Sequence, residues 1–196
     1  MSIHQISIMT YSTLQIRRAF GFFFINIAIL VSSGSIVSEI AFRNDVPLYY
    51  YVMIWMTISS LIFGLQFMKF KIVFSSIRQR MKNSTKWPLR IKTVNGICWA
   101  LPFALIAFFP EFSQYLILLG IGLGNISTFV FMNKFSGLNN KEQMLVGIAS
   151  LALILPAFEI DSSFFLETQD IAVLLSRLFI AMSYAIGGIY ALYQKD

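Results

Sequence analysis

Residues Lys69–Lys92 read KFKIVFSSIRQRMKNSTKWPLRIK and form the most basic part of the chain. They hold eight of the 15 Lys and Arg residues and no Asp or Glu. Long apolar runs without charge lie on both sides. Because a basic loop between two such runs is retained on the cytoplasmic side of a membrane, it orients every other segment. The basic residues of this loop are Lys69, Lys71, Arg78, Arg80, Lys82, Lys86, Arg90 and Lys92.

Composition indicates a membrane protein. Of the 196 residues, 57% are hydrophobic and 12% are charged, and the mean hydropathy is +0.72. Soluble domains are about one quarter charged, so this chain has too few polar residues to cover a water-facing surface. Its length accommodates about six spans of roughly 20 residues with short loops. We therefore expect residues 1–196 to form a single transmembrane domain in the cell membrane.

The apolar runs predict an all-α bundle of six transmembrane helices with both termini on the cytoplasmic side. This orientation places thirteen Lys and Arg residues inside and two, Arg43 and Arg177, outside. That asymmetry is typical of the positive-inside rule, and continuous apolar runs disfavour a membrane barrel. Pro102 and Pro156 lie within two of the spans and predict kinks. The expected spans are 19–38, 46–68, 93–110, 112–133, 143–158 and 171–193.

The first half of the basic loop has helical periodicity. Its apolar residues share one face, and its charged residues lie on the other, which is typical of a helix on the membrane surface. Attraction to anionic headgroups of about 1 kcal/mol per basic residue accounts for the charge without a protein partner. Nucleic acid is not an expected partner, because the charge adjoins membrane segments. The apolar face is Phe70, Val73, Phe74, Ile77 and Met81.

The chain lacks the residues that several kinds of functional site require. Cys98 is the only cysteine and His4 the only histidine, so we expect no disulfide and no metal site. The chain has no glycine-rich phosphate-binding loop, and the predicted spans contain neither a Lys for a retinal Schiff base nor a His for haem. We expect no cofactor and no catalytic residue.

Arg177 is the one charged residue well inside a predicted span, about 9 Å from its outer end. A buried Arg is costly without an acid nearby, and four acids belong to the same side. One interpretation is a contact for an anion or a solute. The other is a structural ion pair, or an Arg side chain that reaches the outer headgroups. The candidate acids are Glu39, Glu159, Asp161 and Asp170.

Gly120, Gly124 and Thr128 follow each other at one-turn spacing in the fourth predicted span. Small residues at this spacing let another helix approach closely, and Asn125 can hydrogen-bond across the contact. The pattern is compatible with packing within the monomer, an oligomer contact or a solute path.

Two functions fit these features best. The first is a non-enzymatic subunit that binds or transports a small solute, with Arg177 facing the outer side. The second is a structural or assembly subunit of a larger membrane complex, in which homo-oligomers are also possible. An outer-leaflet enzyme using Glu39, Glu159 or Asp161 is weaker, because no nucleophile lies at a recognisable spacing. A membrane sensor that signals through the basic loop is a further alternative.

Overall fold

The computed structural model describes residues 13–47, 49–68, 70–71, 74–75, 78, 87–137, 139–164 and 169–193. Over these residues the chain is all-helical and contains no strand. A 3₁₀ turn, Pro110–Phe112, precedes α4. The helices are α1 (Thr13–Arg43), α2 (Tyr49–Leu65), α3 (Leu89–Leu105), α4 (Ser113–Ser136), α5 (Lys141–Ala152), α6 (Ile154–Phe164) and α7 (Gln169–Tyr193).

Four segments of the described chain are long and apolar enough to cross a membrane. They lie in α1, in α4 with its preceding turn, in α5 and α6 together, and in α7. The helices α2 and α3 have 17 residues each, at the short end of the range that spans a hydrocarbon core of about 30 Å. These helices are those expected of an integral membrane protein.

The fifth predicted span is divided into two helices. α5 ends at Ala152, and α6 begins at Ile154, two residues before Pro156. The amides of Leu153 and Ala157 still bond the carbonyls of Ala149 and Leu153, so the backbone continues across the junction. Pro156 has no amide hydrogen and its ring crowds the preceding turn, which is the physical reason for a break at this point.

The central part of the bundle consists of α1, α4, α5, α6 and α7. α1 packs along α7, α7 contacts α5 and α6, and α5 packs on α4. The outer helices have fewer neighbours, since α2 packs mainly on α1 and α3 mainly on α4. The buried apolar core is formed by Phe20, Phe24, Leu118, Ile121, Val146, Ala157 and Ile180.

Two helix crossings depend on glycine pairs. A Cβ atom on Gly21 of α1 would lie 2.9 Å from the carbonyl oxygen of Gly188 in α7. In the same way, a Cβ on Gly147 of α5 would lie 2.9 Å from the carbonyl oxygen of Gly122 in α4. Membrane helices associate through such close backbone contacts, because lipid supplies little hydrophobic driving force between them. These crossings bring α1 to α7 and α4 to α5.

The turn after α1 is a Schellman motif. The Val46 amide bonds the Ala41 carbonyl (3.0 Å), and the Asp45 amide bonds the Phe42 carbonyl (3.1 Å). Asp45 has a φ of 53° and occupies the left-handed position that glycine usually takes in this motif. The side chain of Asn44 also donates to the Ile40 carbonyl (2.7 Å), so the last turn of α1 is capped twice.

Candidate functional site: polar side chains inside the helix bundle

A buried ion pair joins α1 to α5 at one end of the bundle. The Nε atom of Arg17 lies 3.9 Å from Oε2 of Glu142, and Nη2 of Arg17 donates to the carbonyl of Asn139 (2.9 Å). Glu142 is 0% exposed, although it lies in the first turn of its helix. A helix N-terminus favours a carboxylate there, and the guanidinium of Arg17 offsets much of the cost of burying it.

α7 packs closely on the backbone of the first turn of α5, beside Glu142. A Cβ on Gly187 would lie 2.9 Å from the carbonyl oxygen of Glu142. The glycine therefore allows α7 to approach the first turn of α5 closely. We call this end of the bundle, which carries Arg17, Glu142 and the basic loop, the basic end.

Further polar groups lie buried midway along the helices. Asn26 on α1 and Asn125 on α4 each donate one hydrogen bond to the carbonyl four residues earlier in their own helix. Oδ1 of Asn26 and Oγ of Ser150 are buried and have no hydrogen-bond partner among the described residues. Tyr184 of α7 packs its ring against Phe24, with the ring centroids 5.6 Å apart.

Three buried serines form the next layer toward the opposite end. Ser35 and Ser38 on α1 and Ser176 on α7 have Oγ atoms that find no partner within the described structure. α1 and α7 run antiparallel, with Gly21 against Gly188. Continuing that register places Ser35 at the level of Ser176.

At the opposite end, Tyr115 connects α4 to α6. Its hydroxyl donates a hydrogen bond to Oδ2 of Asp161. The other carboxylate oxygen, Oδ1, is buried and has no partner in the described part of the chain. Gln114 is also buried beside Tyr115. Like the Arg17–Glu142 pair at the basic end, this hydrogen bond joins two helices through polar side chains.

Two of the acids predicted around Arg177 make other contacts in the described structure. Glu39 is 8% exposed and accepts a hydrogen bond from Nε of Arg43 (2.9 Å) on the same helix. Asp161 is bound to Tyr115, and Glu159 is exposed. Arg177 is partly buried, and neither Glu39 nor Asp161 pairs with it in the described structure. The side chain of Asp170 lies outside the described residues.

The Gly120–Gly124–Thr128 row lies against α3 of the same chain. A Cβ on Gly120 would meet Cε2 of Phe103 at 2.7 Å, and Gly124 faces the ring of Trp99. Nε1 of Trp99 donates to the Thr128 hydroxyl (3.1 Å). Thr128 in turn donates to Oδ1 of Asn95 (3.1 Å), which also accepts from Ser127 (2.8 Å). Asn125 points away from this contact, since it is buried in the core of the bundle.

The structure describes four of the eight basic residues that were predicted to contact lipid headgroups. The exposed ones are Lys71, Arg78, Arg90 and Lys92. The described residues do not include Lys69, Arg80, Lys82 and Lys86 of the predicted headgroup contacts. They also do not include Val73, Ile77 and Met81 of the predicted apolar face. Phe70 from that face is 2% exposed and packs on Phe22 of α1, with ring centroids 5.2 Å apart.

Sequence reasoning missed the Arg17–Glu142 pair and the buried serines. Arg17 flanks an apolar run and counted only toward the orientation, and Glu142 was assigned to the loop before the fifth predicted span. A buried serine and a lipid-facing serine look alike in sequence. The one available signal was that Glu142 immediately precedes a predicted span, where a helix N-terminus favours an acidic side chain.

The described residues contain no group of three His, Cys, Asp or Glu side chains placed to hold a metal ion. Comparison with known proteins found no matching family model, no matching curated protein and no matching solved structure.

Proposed function

We propose that the protein is a non-enzymatic membrane subunit that binds or transports a small polar solute through the interior of its bundle. The proposed topology has six spans with both termini cytoplasmic. In favour of it, Arg17, Lys71, Lys92, Lys134 and Lys141 lie near helix ends that this topology places on one side. The proposed membrane is the cell membrane.

The observation that carries this proposal is the set of unpartnered buried hydroxyls. Serines in membrane helices ordinarily bond a carbonyl one turn earlier, as Ser33 does to Ile29 (2.7 Å) and Ser183 to Phe179 (2.9 Å). Ser35, Ser150 and Ser176 do not. A buried hydroxyl without a partner costs about 1–3 kcal/mol, so these groups are available to bind water or a polar solute.

These hydroxyls lie between two polar contacts that join helices. The Arg17–Glu142 pair is near one end of the bundle, and the Tyr115–Asp161 hydrogen bond is near the other. Intramembrane polar groups that face the bundle interior are typical of solute and ion pathways. The two contacts would then bound the pathway, and neither supplies a nucleophile for an enzyme.

Cysteine accessibility tests this function and does not require the solute to be identified. In a Cys98→Ser background, Ser35→Cys, Ser150→Cys and Ser176→Cys are each treated in membranes with a water-soluble, positively charged thiol reagent. Reaction at all three positions is expected if water and solute enter the interior. Ser33→Cys is the matched control, because Ser33 lies on α1 in a groove that faces outward.

The three interior cysteines should react faster than Ser33→Cys, which lipid shields. If they are as inert as Ser33→Cys in protein that retains its helix content, there is no solvated path and the proposal fails.

An assembly subunit is the second candidate, and α2 is the observation that favours it. No residue of this helix is buried. One face carries Val52, Trp55 and Met56 together with Ser59 and Ser60, around a groove of about 530 Å³. Serines that line an open groove fit contact with another membrane helix better than contact with lipid.

Native mass spectrometry of the protein gently extracted from its own membrane separates the two candidates. Foreign subunits in fixed proportion would favour the assembly function. A single chain, or a homo-oligomer, that carries a small molecule would favour the solute function and would give the mass of the ligand.

A further inference from the structure

An aromatic groove lies at the basic end of the bundle, on the outside of α1 and α2. Its volume is about 690 Å³, within the range of about 300–1,000 Å³ typical of small-molecule sites. Phe23 comes from α1 and Phe63 from α2, and the remaining residues belong to the chain that follows α2. The groove is lined by Phe23, Phe63, Phe67, Phe70, Lys71 and Phe74.

Phe70 holds the groove in shape. Its ring centroid lies 4.7 Å from that of Phe63, 5.2 Å from that of Phe22 and 6.1 Å from that of Phe74. These separations are those of favourable tilted aromatic pairs. The amide of Phe70 also bonds the carbonyl of Gln66 (3.0 Å), so this part of the chain is helical. The start of the basic loop is thus fixed against the bundle through its buried ring.

The walls beside Phe70 are open to the surroundings. Phe67 is 64% exposed and Phe74 is 52% exposed. In a membrane protein such exposed aromatic side chains are in contact with lipid, and the groove beside them offers a formed surface to one acyl chain. Among the lining residues only Lys71 is charged, and it is exposed directly beside the buried Phe70.

A second cation belongs to the same region. Arg18 is exposed on α1, one helical turn before Phe22, whose ring contacts Phe70. The groove therefore has an apolar body and a positively charged rim. A ligand that matches both parts has an acyl chain and an anionic headgroup.

We propose that this groove is a discrete binding site for one anionic phospholipid. An acyl chain lies against Phe23, Phe67 and Phe74, and the phosphate binds Lys71 with Arg18 nearby. A second copy of the chain does not fit this surface, because it would bring the same excess of positive charge: Lys69–Lys92 contains eight cations and no acid. The site is independent of the solute function proposed above.

Titration of the purified protein with phosphatidylglycerol, read by native mass spectrometry, tests the site. One phosphatidylglycerol adduct is expected at low lipid concentration, and phosphatidylcholine should bind more weakly. Lys71→Ala should weaken the first phosphatidylglycerol adduct by about 5-fold, which corresponds to the attraction of one basic residue near an anionic surface. Phe67→Ala removes one wall and should weaken it as well.

Lys92→Ala is the matched control for Lys71→Ala, because Lys92 is an exposed lysine of the same basic stretch that does not line the groove. The first phosphatidylglycerol molecule should bind to Lys92→Ala as tightly as to the unmodified protein. Equal losses for Lys71→Ala and Lys92→Ala would show diffuse charge attraction and overturn the site. Equal binding of phosphatidylcholine and phosphatidylglycerol, or an unchanged first adduct in Phe67→Ala, would also overturn it.

Discussion

At the scale of single residues, Arg17 and Glu142 are less exposed than the other charged groups described at the basic end. Arg18, the next residue in sequence, is exposed, as are Lys134 and Lys141. A carboxylate enclosed by three helices is tolerated only with a cation and hydrogen bonds close by. Arg17 therefore links the start of α1 to the start of α5, and this contact is part of what holds the basic end together.

We expect Arg17→Ala to lower the free energy of unfolding by about 3 kcal/mol, because it leaves Glu142 buried without this cation. Adding Glu142→Gln should restore part of that loss, since the neutral amide is cheaper to bury. Denaturant unfolding in detergent micelles, followed by tryptophan fluorescence, measures both. Arg18→Ala is the control and should change stability little. If the double variant Arg17→Ala/Glu142→Gln is no more stable than Arg17→Ala alone, this explanation of the ion pair is contradicted.

Asp45 provides the second prediction for a single residue. A residue with a side chain at positive φ costs about 1–2 kcal/mol unless it is glycine or, less severely, Asn or Asp. Asp45→Gly should therefore keep or raise the thermal stability of the turn after α1, and Asp45→Val should lower it by about that amount. Thermal unfolding followed by circular dichroism compares the two, and equal melting temperatures would exclude strain at this position.

At the scale of helices, glycines determine which helices touch. The fourth predicted span carries Gly120 and Gly124, and both face α3. The pairs that bring α1 to α7 and α4 to α5, however, involve Gly21 and Gly147, which sequence reasoning did not single out. A glycine-containing face shows that a helix can be approached closely, but it does not identify the partner, because every membrane helix presents small residues somewhere.

Gly188→Ala should lower the free energy of unfolding by about 1–3 kcal/mol, because its Cβ would lie 2.9 Å from Cγ1 of Ile25 and 3.0 Å from the backbone oxygen of Gly21. Gly64→Ala on α2 is the control. Its Cβ would meet nothing within 4 Å, and alanine stabilises a helix by about 0.5–1 kcal/mol relative to glycine. Denaturant midpoints of the two variants should move in opposite directions; a shift in the same direction would refute the steric explanation.

At the scale of the whole molecule, the described chain has a dense centre and two sparsely packed outer helices. α2 and α3 are joined through the basic loop in sequence, yet they pack on different helices, α1 and α4. The surfaces of α2 and α3 are largely exposed. Lipid or partner proteins therefore cover much of this molecule, as its composition requires.

Labelling of intact cells tests the proposed topology. In a Cys98→Ser background, Asn44→Cys lies in the exposed turn after α1, and Asn139→Cys lies in the exposed turn before α5. With cytoplasmic termini, a membrane-impermeant thiol reagent should label Asn44→Cys in intact cells and Asn139→Cys only after permeabilisation. The reverse pattern would show the opposite orientation, and labelling of both in intact cells would contradict the three crossings proposed between them.

The helical positions were largely predictable, because a membrane span needs a continuous apolar run of defined length. Each predicted span overlaps a described helix, and the boundaries differ most at α1, which extends from Thr13 to Arg43. The turn around Asp45 also falls where Arg43, Asn44 and Asp45 interrupt the apolar pattern. The candidate site was not predictable in this way, because its members come from five helices distant in sequence.

Hydropathy and charge asymmetry depend on local runs of residues, so the all-helical membrane class of this protein could be derived before any contact was known. Which polar groups are buried together depends on how the helices pack. Glu142 and Lys141 are neighbours in sequence, yet one is enclosed and the other exposed. The difference arises because helix packing selects one face of each helix for the interior, and that choice depends on contacts between segments that no local pattern contains.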